Sequence, residues 1–184
     1  MITGALVAIA TPMRDDGSID YDCYQKLIDW QVSDGADAIV SMGTSGESPT
    51  VSFEEHTAVV KAAVEAVAGR VPVIAGTGAN STAEAIGLTR EALEVGAQYS
   101  LQVVPYYNKP TQEGLYLHYK TIAENTKANI MLYNIPIFVG VNLEAETVGR
   151  LAAIPNIVGV KDEAGVNPTQ VTDFFLATEK VDPN

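Results

Sequence analysis

Short apolar runs rich in valine and isoleucine alternate along the whole chain with longer segments of helical period. The runs fall at residues 5–10, 38–42, 71–75, 100–104, 130–133 and 157–160. Nearly every residue in them is apolar, the pattern of strands covered on both faces, as in a parallel sheet. Parallel strands need crossovers, and the intervening segments supply helices with readable starts. Ser52 with Glu55, and Ser81 with Glu84, have the spacing of capping boxes. Asn142 is placed to cap a fifth helix, and Asn167, Pro168 and Gln170 give a sixth its N-cap, first-position proline and third-position glutamine. Val59, Val60, Ala63, Val64 and Val67 show the amphipathic spacing of a helix body.

Unbroken βα alternation leaves two architectures, an open doubly wound sheet or a closed (β/α)8 barrel. Both place function at the carboxyl ends of the strands. No linker or low-complexity stretch interrupts the pattern, so residues 1–184 read as one domain. Six βα units are two short of a closed barrel, which usually takes about 250 residues. The chain therefore reads as truncated at its C-terminus.

Composition excludes several partners. With 11 Lys and Arg against 23 Asp and Glu the net charge is −12, which repels nucleic-acid backbones and anionic lipid. No run approaches the roughly 18 apolar residues of a membrane span, and the first apolar run lacks the basic flank of a signal peptide. The single cysteine, Cys23, excludes a disulfide framework, fits a reducing cytoplasm and reads as a helix-packing position. His56 and His118 lie in separate helices without metal-ligand spacing, so no metal is expected. The segment GTSGE at 43–47 is not a serine nucleophile elbow, and no GxGxxG follows the first strand.

Sorting the cations by position narrows the chemistry. Lys26, Lys61, Arg90, Lys120, Arg150 and Lys180 fall in helices, and Arg70 and Lys127 precede strands. Arg14, Lys109 and Lys161 are left near carboxyl ends, and only Lys161 directly ends a buried strand. Enclosed by apolar walls, such a lysine becomes a neutral amine able to form a Schiff base with a carbonyl. The alternative is a lysine that reaches solvent or pairs with Asp162 or Glu163. Tyr133, ending strand five, is either a proton shuttle or a core tyrosine with a satisfied hydroxyl. The loop at 43–47 either brings backbone N–H groups to an anionic ligand or is a plain turn. The stiff aromatic loop at 105–110 suits packing at an interface or a site.

Together, GTSGES at 43–48, VIAGTGAN at 73–80, PYYNKPTQEGLYLHY at 105–119, YNIP at 133–136 and GVK at 159–161 resemble the dihydrodipicolinate synthase family of class I pyruvate-dependent aldolases. The resemblance runs in order from the first residues to about Gly165. It implies an α/β fold of the (β/α)8 barrel type, here incomplete, with strands seven and eight and the C-terminal helices missing. It implies a lyase without a cofactor, in which pyruvate forms a covalent imine on Lys161. The enamine then attacks L-aspartate 4-semialdehyde, giving 4-hydroxy-tetrahydrodipicolinate for lysine and diaminopimelate biosynthesis. Tyr133 falls on the family's proton donor, and Thr44 and Tyr107 complete its relay, with Tyr107 crossing a dimer interface. Ser45 stands at a pyruvate-binding threonine. His56, Asn80, Glu84 and Tyr106 match positions of the lysine-effector site, whereas Pro49 and Phe53 do not. The resemblance further implies a cytoplasmic homo-oligomer, a dimer of dimers.

Two further side chains depart from the family pattern. Phe138 replaces an arginine that helps hold the second substrate's carboxylate, which opens the alternative of an aldolase acting on a 2-keto-3-deoxy acid. In the segment KDEAG at 161–165, Glu163 adds a carboxylate two residues from the lysine, on the same face of an extended strand. The shortened barrel is expected to leave strands one and six without closing neighbours, which makes the chain aggregation-prone or dependent on a partner, and raises a third reading, an inert fragment.

Overall fold

The computed structural model describes residues 2–163, 165, 167–179 and 181. These form two compact units, the first built from the chain up to Thr77 with Leu88–Ser100, the second from Gly78–Gly87 and from Leu101 onward.

The first unit contains β1 (Leu6–Ala8), α1 (Tyr21–Ser33), β2 (Ala38–Ser41), α2 (Phe53–Val67) and β3 (Val73–Gly76). It also holds the later part of α3 (Thr82–Glu94) and the start of β4 (Tyr99–Val103). The strands are parallel and follow chain order, with Leu6 opposite Ala38 and Ile39 opposite Val73. Ile28, Ile39, Val59, Val60 and Ala63 are wholly buried between sheet and helices. Each large aliphatic removed from water there contributes about 1.5–3 kcal/mol. The capping box at the start of α2 is present in both directions, Glu55 N–H donating to Ser52 Oγ and Ser52 N–H to the Glu55 carboxylate. At Ser81, which belongs to the second unit, the Glu84 N–H donates to the serine hydroxyl at 3.4 Å.

The second unit continues β4 and adds α4 (Gln112–Asn125), β5 (Asn129–Asn134), α5 (Pro136–Val139), α6 (Ala145–Ala152), β6 (Ile157–Asp162) and α7 (Gln170–Thr178). β5 and β6 are parallel, and Val104 N–H donates to the Tyr133 carbonyl at 3.0 Å just beyond β4. The centre of this unit is Leu115, Tyr119, Ile122, Ile130, Leu132 and Leu143. Among the described residues no helix is long and apolar enough to cross a membrane.

Several local expectations are corrected. Asn142 caps nothing: α6 starts after Glu144 without a side-chain cap, because the Asn142 amide is bonded to Asn134 and Gln170 instead. Helix α7 starts at Gln170, with Thr169 in the cap position and no side-chain cap bond; Asn167 accepts from the Thr169 hydroxyl. The short helix α5 spans too few residues to show a period. Cys23 is exposed, the packing of α1 being carried by Tyr24 and Ile28. The placement of Lys180 lies outside the described residues.

Candidate active site

The decisive local feature is an irregularity in the β5–β6 ladder. Ile130 stands opposite Ile157, but Met131 stands opposite Gly159, so Val158 is an extra residue in β6. This is a bulge, and it sits beside Gly159. From there the register is regular and places Tyr133 opposite Lys161 and Asn134 opposite Asp162. Lys161 lies within the strand, which runs on to Asp162 instead of ending at Val160.

Paired residues of parallel strands project to the same face, and alternate residues share it. Tyr133, Lys161 and Glu163 therefore meet. Lys161 Nζ lies 2.5 Å from Glu163 Oε1, and 4.1 Å from the centroid of the Tyr133 ring. The Tyr133 hydroxyl donates to Glu163 Oε2 at 3.2 Å. The lysine side chain is 33% exposed and the glutamate 43%. Of the alternatives open for Lys161, the structure shows the ion-paired one, with Glu163 as partner. Tyr133 is buried, as a core tyrosine would be, yet its hydroxyl reaches the lysine's carboxylate.

The opposite face carries a network that the sequence did not reveal. Asn134 donates through Nδ2 to Asn142 Oδ1 at 3.0 Å and to Asp162 Oδ1 at 2.9 Å. Gln170 Nε2 donates to the same two oxygens, and Asn142 Nδ2 donates to Gln170 Oε1. Asn134 Oδ1 accepts from Leu143 N–H. Side-chain amides bonded to one another in this way rigidify the elements they join, here the ends of β5 and β6 and the start of α7. Asp162 is thereby held away from Lys161. The only signal in the sequence was a polar residue, Asn134, closing an apolar strand.

In the first unit, Thr44 and Ser45 are exposed on a 3-10 turn, Thr44–Gly46, directly after β2. The Thr11 hydroxyl fixes the turn by donating to the Gly46 carbonyl at 2.7 Å. Met42 (φ 55°) and Glu47 (φ 59°) bracket it in left-handed conformations. Non-glycine residues there cost of order 1–3 kcal/mol, and such strain concentrates at functional loops. A side chain at Gly76 would overlap the Met42 carbonyl, so only glycine lets β3 support this turn. His56, in the same unit, is buried, with Nε2 donating to the Gly76 carbonyl at 2.8 Å. Burial lowers its pKa, opposed by that hydrogen bond and by Glu91.

The other expected residues belong to the second unit. Tyr107 is 91% exposed at φ 72°, on a loop where Lys109 is also left-handed (φ 44°). Asn80 Nδ2 donates to the Tyr106 carbonyl at 3.4 Å, and Asn108 Nδ2 to the Asn80 carbonyl at 3.3 Å. Burial, and secondarily the nearby Glu84 carboxylate, raises the Tyr106 phenol pKa. Asn80, Glu84 and Tyr106 are thus neighbours. Phe138, on α5, is 69% exposed.

Known structures share this architecture. The chloride-inhibited dihydrodipicolinate synthase from Acinetobacter baumannii, complexed with pyruvate, matches with a TM-score of 0.95 and 50% identity, covering 97% of this chain and 61% of that one. The synthase from Thermotoga maritima matches at 0.94 and 42%, covering 100% and 62%. The fold is therefore the incomplete (β/α)8 barrel that the sequence implies. The chain belongs to the dihydrodipicolinate synthetase family, whose sequence profile matches residues 1–180. A 4-hydroxy-tetrahydrodipicolinate synthase from Dechloromonas aromatica (strain RCB) is 58% identical over 180 residues, 98% of this chain and 61% of the relative. One from Neisseria meningitidis serogroup B is 58% identical over 165 residues, 90% of this chain and 57% of the relative. The chain spans about three fifths of the length of these relatives.

Proposed function

We propose that this chain carries the imine-forming site of a 4-hydroxy-tetrahydrodipicolinate synthase. Lys161 condenses with pyruvate, with no further cofactor. The resulting enamine attacks aspartate 4-semialdehyde on the route to lysine and diaminopimelate. The observation that carries the reading is the register of β5 and β6, which sets the Lys161 amine against the Tyr133 phenol at 4.1 Å from its ring centroid. A primary amine beside a phenol is suited to imine formation, because each addition and loss of water moves a proton. Thr44 and Tyr107 extend the proton relay in this reading, and Ser45 holds the pyruvate carboxylate. The strained, exposed Tyr107 is suited to reach a second copy of the chain, consistent with a homo-oligomer in the cytoplasm. Asn80, Glu84 and Tyr106, with His56, form the proposed lysine-effector site.

Incubation with pyruvate, borohydride reduction and peptide mass spectrometry test this directly. A reduced pyruvate adduct on Lys161 is expected; a folded sample without it defeats the proposal and leaves the inert reading. Phe138 favours one second reading. An exposed phenyl ring in place of a guanidinium suits a less acidic acceptor, and an aldolase acting on a 2-keto-3-deoxy acid has that need. Comparing turnover of aspartate semialdehyde with that of longer aldehydes separates the two.

A further inference from the structure

We infer that Glu163 is a catalytic acid–base group, which takes the proton from the Lys161 ammonium and returns it to the ketone oxygen as the imine forms. The inference rests on the imine reading above. Its ground is that both carboxylate oxygens are engaged by the reacting machinery, Oε1 by Lys161 Nζ at 2.5 Å and Oε2 by the Tyr133 hydroxyl at 3.2 Å. The backbone that carries the carboxylate is fixed, since Glu163 N–H donates to the Asn134 carbonyl at 2.8 Å and so prolongs the β5–β6 ladder. Asp162 cannot substitute, because Asn134 and Gln170 hold it on the other face.

An ammonium has no lone pair and cannot attack a carbonyl until it loses a proton. The acceptor in contact with it is Glu163. Proton transfer gives a neutral amine and a carboxylic acid. The nitrogen pair then forms the C–N bond to the pyruvate ketone carbon, the C=O π pair moves onto oxygen, and the carboxylic acid protonates that oxygen. The carboxylate so restored removes one proton from the new C–NH2+ group. It delivers that proton to the departing hydroxyl, which leaves as water while the nitrogen pair closes the C=N bond. The products are a protonated imine, water and a carboxylate, so charge and protons balance. Tyr133, bonded to Oε2, positions the carboxylate and links it to the proton relay of the proposed function.

The test follows the rate of adduct formation on Lys161 in the full chain, with pyruvate and cyanoborohydride, for wild type, Glu163→Gln, Glu163→Ala and Glu163→Asp. Gln and Ala are expected to slow the adduct by about 10²–10⁴-fold, the usual contribution of a positioned acid–base group. Asp is expected to keep part of the rate. Added formate is expected to restore the Ala variant in proportion to its concentration, and not the Gln variant, whose amide fills the space; a residue that merely shapes the strand would not be replaced by a free carboxylate. Circular dichroism and urea midpoints establish that the variants are folded. Gln and Ala variants that react at the wild-type rate overturn the inference and leave the imine reading standing, and slow variants that formate does not rescue overturn it as well. A folded wild-type chain with no adduct defeats both.

Discussion

Mild acid is expected to weaken this protein through one histidine. His118 on α4 is 7% exposed; its Nδ1 pairs with the Thr82 hydroxyl at 2.8 Å and its ring meets Tyr119 edge-on. Its Nε2 is buried without a hydrogen-bond partner among the described residues. A charged imidazolium there would bring a second N–H with nowhere to donate, and burial lowers the pKa from 6.5 to about 4. Between those values the folded histidine is neutral and the unfolded one charged, so the unfolded state binds more protons. Stability is therefore intact above pH 6.5 and is lost as pH falls towards 4. Integrating over pH 7.5 to 5.0 gives a loss of about 2 kcal/mol from this residue alone. Urea unfolding of wild type and His118→Asn at the two pH values measures it, the asparagine amide standing near the position of Nδ1. Wild type is expected to lose about 2 kcal/mol more than the variant, at unchanged m-value. His56, also depressed by burial, is present in both proteins and cancels. Equal losses in the two proteins would refute the reasoning.

Four further outcomes are expected. Tyr133→Phe keeps the ring against Lys161 but loses the hydroxyl, and is expected to slow borohydride-trapped adduct formation by about 10²-fold or more. Gly76→Ala forces a methyl into the Met42 carbonyl, and a urea midpoint is expected to report a loss of at least about 2 kcal/mol. Ser52→Ala removes one half of the α2 capping box and is expected to cost about 1 kcal/mol by the same measurement. Phe138→Arg is expected to raise turnover of aspartate semialdehyde relative to longer aldehydes; an unchanged ratio argues that α5 does not touch the second substrate.

Much of this was legible because burial leaves a simple mark. Strands covered on both faces, as β2 and β3 are, read as unbroken apolar runs, and the six strand positions were recoverable. However, β1 and β6 are not covered on both faces as the pattern implied, and the ends of β5 and β6 extend beyond the apolar stretch to Asn134 and Asp162. Lys161 stood out because a cation ending such a run is costly without a purpose or a partner. The strand period also allowed Glu163 to share its face. What sequence periodicity cannot carry is register, since pairing between strands depends on both chains at once, and the extra residue at Val158 left no trace. The amides of Asn142 and Gln170 misled for a related reason. A polar side chain near a helix start has the same appearance whether it caps that helix or crosses to another element, and here tertiary bonds won. The roles of Thr44, Ser45 and Tyr107 came from family resemblance, since an exposed loop side chain carries no periodic signature.

The slack at Val158 has a consequence for how this site tolerates change in length. Had the ladder run evenly onward from Ile157, Val160 would confront the phenol and the amine would lie beside Asn134, on the side of the amide cluster. The surplus residue absorbs that offset. Removing Val158 would smooth the strand and keep the amine where it is, and losing Val160 leaves the same number of residues between Ile157 and Lys161, so the ladder can give up its bulge to the same effect. A first codon lost from this stretch should thus be absorbed, and a second should turn the amine to the wrong side.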